Sequence, residues 1–259
     1  MRGLKRICAE RTGLKKMNFS KVNQLKSELA TLRPLNSTEL KRLRDGFIVE
    51  NTYNSNAIEG NTLTLRETAL ILEKGITIGE KPLKEHLEAI GHRDAFEFIF
   101  SLADKNAELT ESVIKQIHSL VLMNDALNKG VYRGVPVTIV GALHVPTQPY
   151  LIEKHMETLL IEYNHNKKER HIIEAVAEMH LRFEGIHPFI DGNGRTGRLL
   201  INLELIKAGF LPVNIKYADR RKYYECFDKY FGEGHTSEPL IEMLIKYEEE
   251  ELVGHIERL

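Results

Sequence analysis

The chain has 259 residues, with 36 Lys plus Arg against 37 Asp plus Glu and a formal net charge of −1. That balance excludes a domain that holds nucleic acid by bulk basic charge, although it leaves room for a small local anion pocket. At 42% hydrophobic and 28% charged, the composition is that of an ordered globular protein of one large domain, or one domain with a helical extension.

In chain order, the first segment is MRGLKRICAERTGLKKMNFS. It is basic but has no apolar core, so it is not a secretory signal, and Met17 is a second possible start. Residues 1–36 are expected to be a leader and helical extension. Cys8 and Cys226 lie too far apart for a metal-ligand pair or a disulfide framework, which fits a reducing compartment and a cytoplasmic location. No stretch approaches the roughly 18 apolar residues that span a bilayer, so no membrane is expected as a partner.

From Ser37 or Thr38, Leu40, Leu43, Phe47 and Ile48 recur at three- and four-residue steps, which predicts an amphipathic helix. Gly60-Asn61 stops it, and residues 37–63 form a unit before the larger body of the chain, 64–259. Thr64 followed by Glu67 is a capping box that opens a second helix through Leu72. The same periodicity predicts helices over 83–103, 110–123, 151–164, 169–183, 195–208, 220–231 and from Pro239 onward. One segment departs from it. In GVYRGVPVTIVGALHVP, Val135, Val137 and Ile139 alternate before Gly141 and Val145, which predicts a short β-hairpin. The expected fold class is therefore mainly α, a helical bundle with one β-hairpin. A lone hairpin is marginal unless packed or occupied by a partner, and it reads either as a structural cover or as a functional element.

The chemistry concentrates in HPFIDGNGRTGR, residues 187–198, a glycine-punctuated loop between two apolar helices. Small residues at a helix N-terminus let backbone N–H groups approach an oxyanion, and the helix dipole favours negative charge. Asn193 is placed to cap the helix or to donate to the same anion. Arg195 and Arg198 stand three apart on one face, and two guanidiniums beside a backbone nest specify a polyphosphate rather than a single carboxylate. Asp191 beside phosphates is repulsive unless a divalent cation intervenes, and Mg²⁺ is held by one carboxylate together with phosphate oxygens and waters. His187 is the nearby side chain able to exchange a proton near neutral pH. Taken singly each residue has a plain structural reading: a histidine before a proline, or a DGNG turn as in calcium loops. The stretch is neither a Walker loop nor an HExxH zinc site.

This stretch resembles the Fic family, whose pattern HPFx(D/E)GNGRxxR is matched at every fixed position, and the resemblance extends over roughly residues 38–245. It implies transfer of AMP from ATP to a Ser, Thr or Tyr hydroxyl of a target protein. His187 would take the hydroxyl proton and Asp191 would hold Mg²⁺. Gly192, Asn193, Gly194, Arg195, Thr196, Gly197 and Arg198 would form the phosphate cradle, with Arg198 on the γ-phosphate. Thr138, Ile139, Val140 and Gly141 resemble the family's flap, which aligns a target segment by strand pairing. Tyr223 and Tyr224 match an aromatic pair lining the adenine pocket, whereas Phe231 stands near the place of an asparagine common in the family.

Ser55 and Glu59 lie four apart on one helical face, a surface glutamate before a helix-terminal glycine in the plainest reading. By resemblance, SNAIEG is similar to the family's inhibitory motif (S/T)xxxE(G/N). Glu59 would then pair with Arg198 and deprive the γ-phosphate of its ligand, or in a second activity position a water that removes AMP from a modified target. The implied protein is an autoinhibited adenylyltransferase with ATP, a target protein, itself through self-modification, and a second copy as partners. Alternatives are transfer of another phosphate-bearing group (UMP or phosphocholine) and a nucleotide-gated binding module without turnover, which has no need of His187. A DNA-binding winged helix is not expected, since the residues after Phe231 suffice for one closing helix.

Overall fold

The structure, a computed structural model, describes residues 17–32, 37–232 and 234–259. The leader expected over residues 1–16, with Cys8, lies outside the described residues. Ten α-helices follow in order: α1 (Ser20–Thr31), α2 (Ser37–Ile58), α3 (Leu65–Lys74), α4 (Leu83–Asp104), α5 (Glu111–Val121), α6 (Ile152–Glu169), α7 (Ile172–Ile186), α8 (Asn193–Lys207), α9 (Arg220–Phe231) and α10 (Glu238–Ile256). Two short 3₁₀ turns, Pro149–Leu151 and Tyr217–Asp219, lead into α6 and α9.

The helix starts follow local chemistry. Thr64 Oγ1 accepts from the Glu67 N–H while the Glu67 carboxylate accepts from the Thr64 N–H, a complete capping box. Thr110 caps α5 through the Val113 N–H. Several expected boundaries moved, most clearly between α6 and α7. Residues 165–168 continue α6 because nothing there breaks a helix, and the break falls at Arg170 and His171, whose ring nitrogen accepts the Ile173 N–H.

α7 and α8 form the centre. Buried residues occupy nearly every position of both helices, which places them inside the bundle rather than on its surface. They pack on each other, with α4 and α5 against α8, α6 and α10 against α7, and α1 against α10. A single apolar cluster runs from Val22 in α1 to Leu252 in α10, and a smaller one at Leu63, Ile71 and Ala89 seats α3. No described helix is long and apolar enough to cross a membrane.

The expected hairpin is not formed: no strand occurs among the described residues. Residues 134–148 run as an irregular loop with a turn at Val140-Gly141. Val135, Val140 and Val145 of the alternating run are exposed, Val140 almost completely. Alternation that buries no face fully and finds no third strand does not sustain a hairpin.

Glu248 is wholly buried in α10, with Oε1 accepting the Leu211 N–H at 2.8 Å. Burial pushes its carboxyl from 4.5 up to about 8. A carboxyl raised in the folded state binds more protons folded than unfolded, so its contribution is full below about pH 4.5 and is lost as pH rises towards 8. Glu248→Gln keeps the acceptor and is expected to flatten that decline. In urea titrations at pH 5 and pH 8 it should gain about 1–3 kcal/mol at the higher pH relative to the lower.

Candidate active site

α7 ends at His187, which adopts φ 51° and ψ 61° while its N–H bonds to the Phe183 carbonyl at 2.9 Å. A residue with a β-carbon in this region is uncommon and marks a constrained point. The turn swings the imidazole back over the end of α7. Nδ1 faces the Glu184 backbone carbonyl and the Glu184 carboxyl, whose Oε2 is 3.7 Å away. Because Nδ1 is buried, Nε2 is the nitrogen left for a substrate. Burial, then the charge of Arg133, lowers the ring to about 4. At neutral pH it is uncharged and able to accept a proton.

The loop after His187 is held by two side chains. Asn193 Oδ1 accepts the Phe189 N–H and its Nδ2 donates to the Phe189 carbonyl, both at 2.9 Å. Asn193 therefore closes the loop on itself, rather than capping α8 or pointing to an anion as expected; both ends of its amide are used and it is buried. His118 of α5 stacks on Phe189 with centroids 3.6 Å apart. Its Nδ1 accepts the Gly130 N–H, which leaves the proton on Nε2 to donate to the Asp191 carbonyl at 2.9 Å. Burial keeps this ring neutral, near 4.

Gly192, at φ 77°, supplies the left-handed turn into α8. Asp191 then projects a half-exposed carboxylate. Its Oδ1 accepts the Gly192 N–H and lies 3.2 Å from Arg195 Nη2, and its Oδ2 is 3.8 Å from Lys84 Nζ. Arg195 is buried and also faces Glu88 Oε1 of α4 at 3.3 Å. No group of three or more His, Cys, Asp or Glu suited to a metal occurs among the described residues. A cation at Asp191 thus has one protein carboxylate, with cationic neighbours that call for phosphate oxygens as further ligands.

Arg198 faces the other way. Its Nε donates to Ser55 Oγ at 3.0 Å, and its Nη2 donates to the Ser55 carbonyl and to Glu59 Oε1, both at 2.8 Å. The Arg198 side chain is 5% exposed against 35% for Glu59. Burial opposes its charge, but Glu59 and Tyr223 outweigh that and keep it protonated. Glu59 also fills the space above Gly194, where a β-carbon would collide with its Oε1. The sequence-identified pair Ser55 and Glu59 is thus brought onto Arg198 by tertiary contact.

The tyrosine pair splits. Tyr223 is buried, with its hydroxyl 2.6 Å from His180 Nε2. Tyr224 is half-exposed and donates to the Ile58 carbonyl at the end of α2, so it alone offers a ring to a ligand. Thr196 is completely buried, and the space over Gly197 is filled by Glu184 and His180; neither is open to a ligand. Phe231 stacks on His144 of the loop, centroids 3.8 Å apart. Thr138, Ile139, Val140 and Gly141 sit at the loop's outer turn, where the Ala142 N–H bonds to the Ile139 carbonyl.

Arg133 was not identified from the sequence. It is 5% exposed and has no carboxylate partner among the described residues. Its guanidinium donates to the carbonyls of His187 and Val135 at 2.8 Å and to that of Thr147, and its N–H bonds to the Pro188 carbonyl. Both feet of the 134–148 loop are thereby tied to the His187 backbone. Glu88 and Glu184 join these groups without a local sequence signal, since α7 carries Glu174 and Glu178 as well as Glu184.

A neutral histidine facing a helix N-terminus that gathers two buried arginines defines a helical domain with an anion-directed site. Residues 108–205 match the Fic/DOC family. A Fic domain containing signaling protein from Bacteroides thetaiotaomicron superposes with TM-score 0.82 at 33% identity, covering 92% of this chain and 96% of that one. Fic-1 from C. elegans gives 0.81 at 30% identity, over 92% and 70%. The chain belongs to the Fic/DOC family. It is 38% identical over 214 residues to the protein adenylyltransferase Fic of Nematostella vectensis, covering 82% of this chain and 49% of that protein. The corresponding protein of Aedes aegypti is 35% identical over 220 residues, 82% of this chain and 42% of its own length. The chain thus spans about half the length of these relatives.

Arg133→Met leaves its backbone acceptors without the guanidinium. The expected loss is about 3 kcal/mol or more in denaturant unfolding. Arg221→Met, at a side chain 90% exposed, should change stability by less than about 0.5 kcal/mol.

Proposed function

We propose that this protein is an autoinhibited protein adenylyltransferase that moves AMP from ATP to a Ser, Thr or Tyr hydroxyl of a target protein. The observation that carries this is the placement of a neutral His187 beside an α8 N-terminus whose second arginine, Arg198, is held by Glu59 at 2.8 Å. The names of the relatives from N. vectensis and A. aegypti support the same reaction.

In this reading His187 Nε2 takes the proton of the target hydroxyl. The oxygen attacks the α-phosphorus, a new P–O bond forms, and the bond to pyrophosphate breaks with its electron pair leaving on pyrophosphate. The N–H groups at the start of α8 and the two arginines bind the phosphates in line. Asp191 would hold Mg²⁺, which when bound neutralises charge on the leaving group. Tyr224 lies against the adenine. The backbone around Thr138–Gly141, which pairs with no strand, receives the target segment as an added strand, which completes the hairpin absent from the chain alone.

Residues 37–63 are then the inhibitory region on a catalytic body of residues 64–259, with residues 1–36 as leader and extension. Glu59 occupies the donor that a γ-phosphate needs, so bound ATP lies in an unproductive pose. Self-modification, a homo-oligomer and a cytoplasmic location belong to the same proposal. So does removal of AMP by a water on Glu59, which keeps a third of its side chain exposed. Donors carrying UMP or phosphocholine are the alternative within the same chemistry, and a binding module without turnover is the alternative outside it.

Glu59→Gly is expected to raise incorporation of label from α-labelled ATP by at least about tenfold, because breaking a charged hydrogen bond of this type releases about 1.5–3 kcal/mol. His187→Ala in the same background should abolish it, and intact mass should show additions of one AMP. Unchanged labelling in Glu59→Gly would overturn the brake, and retained labelling in His187→Ala the base. Labelling from UTP or a phosphocholine donor in preference to ATP would move the activity to the alternative donor.

A further inference from the structure

Two carboxylates, not one, reach the first turns of α8. Glu59 from the end of α2 lies over Gly194, and Glu184 from α7 lies over Gly197, where a β-carbon would stand 2.6 Å from Glu184 Oε1. Gly194 and Gly197 are three apart and share a helical face, and Arg198 follows directly on it. Glu184 is 11% exposed at its side chain, and its Oε2 is 3.7 Å from His187 Nδ1. Its Oε1 is buried with no hydrogen-bond partner among the described residues, and so is Arg198 Nη1. An acceptor and a donor are thus both withheld from water beside the base.

We propose that Glu184 is a positioning residue for His187, and that Glu59 and Glu184 compete for the charge of Arg198, so that one contact controls both the phosphate grip and the strength of the base. The inference rests on the adenylyltransferase reading for its activity arm only.

The groups facing the Glu184–His187 pair are Glu59 of α2, Arg198 of α8, His180 of α7, Tyr223 of α9, and Arg133 and His144 of the loop. His180 is fully buried and lowered to about 3, so it carries no charge. With Glu59 in place, burial and the neighbouring Glu59 carboxylate push Glu184 up to about 8 against the pull of Arg198. At neutral pH it keeps its proton and gives little support to a charged imidazole. When Glu59 withdraws, its repulsion goes while Arg198 remains, and Glu184 is drawn towards ionisation against its burial. A carboxylate beside Nδ1 favours the imidazolium. The proton taken from the target hydroxyl then rests on Nε2, its charge balanced by Glu184.

The test uses the full chain as wild type, Glu59→Gly, Glu184→Gln, Glu59→Gly/Glu184→Gln and Glu59→Gly/Glu184→Asp. The His187 titration is followed by NMR of ring-labelled histidine, assigned with His187→Ala, alongside AMP transfer from ATP across pH. In Glu59→Gly the His187 pKa should lie about one unit or more above that in Glu59→Gly/Glu184→Gln. In the double mutant kcat should fall about tenfold or more with KM for ATP within about twofold. The aspartate variant keeps a carboxylate and should fall between the two. The same His187 pKa and kcat in Glu59→Gly with and without Glu184 would overturn the proposal. Circular dichroism melts show which variants are folded, and if the glutamine variant is not, the aspartate variant decides, since its pKa must move in the same direction. Failure of Glu59→Gly to transfer AMP would count against the enzymatic reading, while the titration would still decide the role of Glu184.

Discussion

Two guanidiniums buried at the start of one helix set the terms for the rest of this structure. Arg195 and Arg198 are 2% and 5% exposed, and a buried charge is tolerated only when acids and acceptors come to it. They come from separate parts of the chain: Glu88 from α4, Asp191 from the preceding loop, Ser55 from α2 and Glu59 from just beyond its end. Three segments are thereby locked around the α8 N-terminus, which is also a centre of folding cohesion. Any phosphate that enters competes with protein carboxylates for the same donors. Catalytic readiness and structural economy therefore pull in opposite directions.

The grip on α2 is uneven along its length. Its middle is pinned by Asn51 to the Val213 carbonyl, by Thr52 to His92 and by Asn54 to Asn214 and the Tyr217 N–H. Beyond Ile58 the hold is lighter: Glu59 reaches Arg198, and Asn61 reaches Glu85 and Glu88. The contact that blocks Arg198 thus sits where α2 runs out, next to a glycine in a left-handed turn. On the opposite side, Arg133 ties the His187 backbone to the loop that is proposed to receive the target. Arg133 joins the His187 backbone to the 134–148 loop, Arg198 joins α8 to the end of α2, and neither arginine faces the solvent.

The helices were legible because their periodicity and caps act over one or two turns. Thr64 with Glu67, Thr110, and the glycine after Ile58 mark boundaries that the tertiary structure keeps. The hairpin was misjudged for the converse reason. Alternation in Val135, Val137 and Ile139 states only that an extended chain would have two faces, while strand pairing needs a partner that this chain does not provide. Asn193 shows the same limit at a single residue. Its type and place suit a helix cap, but its amide is used to close the loop on Phe189.

The sequence by itself determined the helical class, the stretch that carries His187, Asp191, Arg195 and Arg198, and the placing of Ser55 and Glu59 on one helical face. These follow from residue type at short spacing, where geometry is set by the 3.6-residue turn and by the glycines. Only the tertiary structure decided which acid meets which guanidinium, that Glu184 stands behind the base, that Arg133 fastens the loop, and that Thr196 and Tyr223 are buried away from a ligand. Those outcomes depend on burial and on contacts across more than a hundred residues in some cases, and no local pattern encodes them.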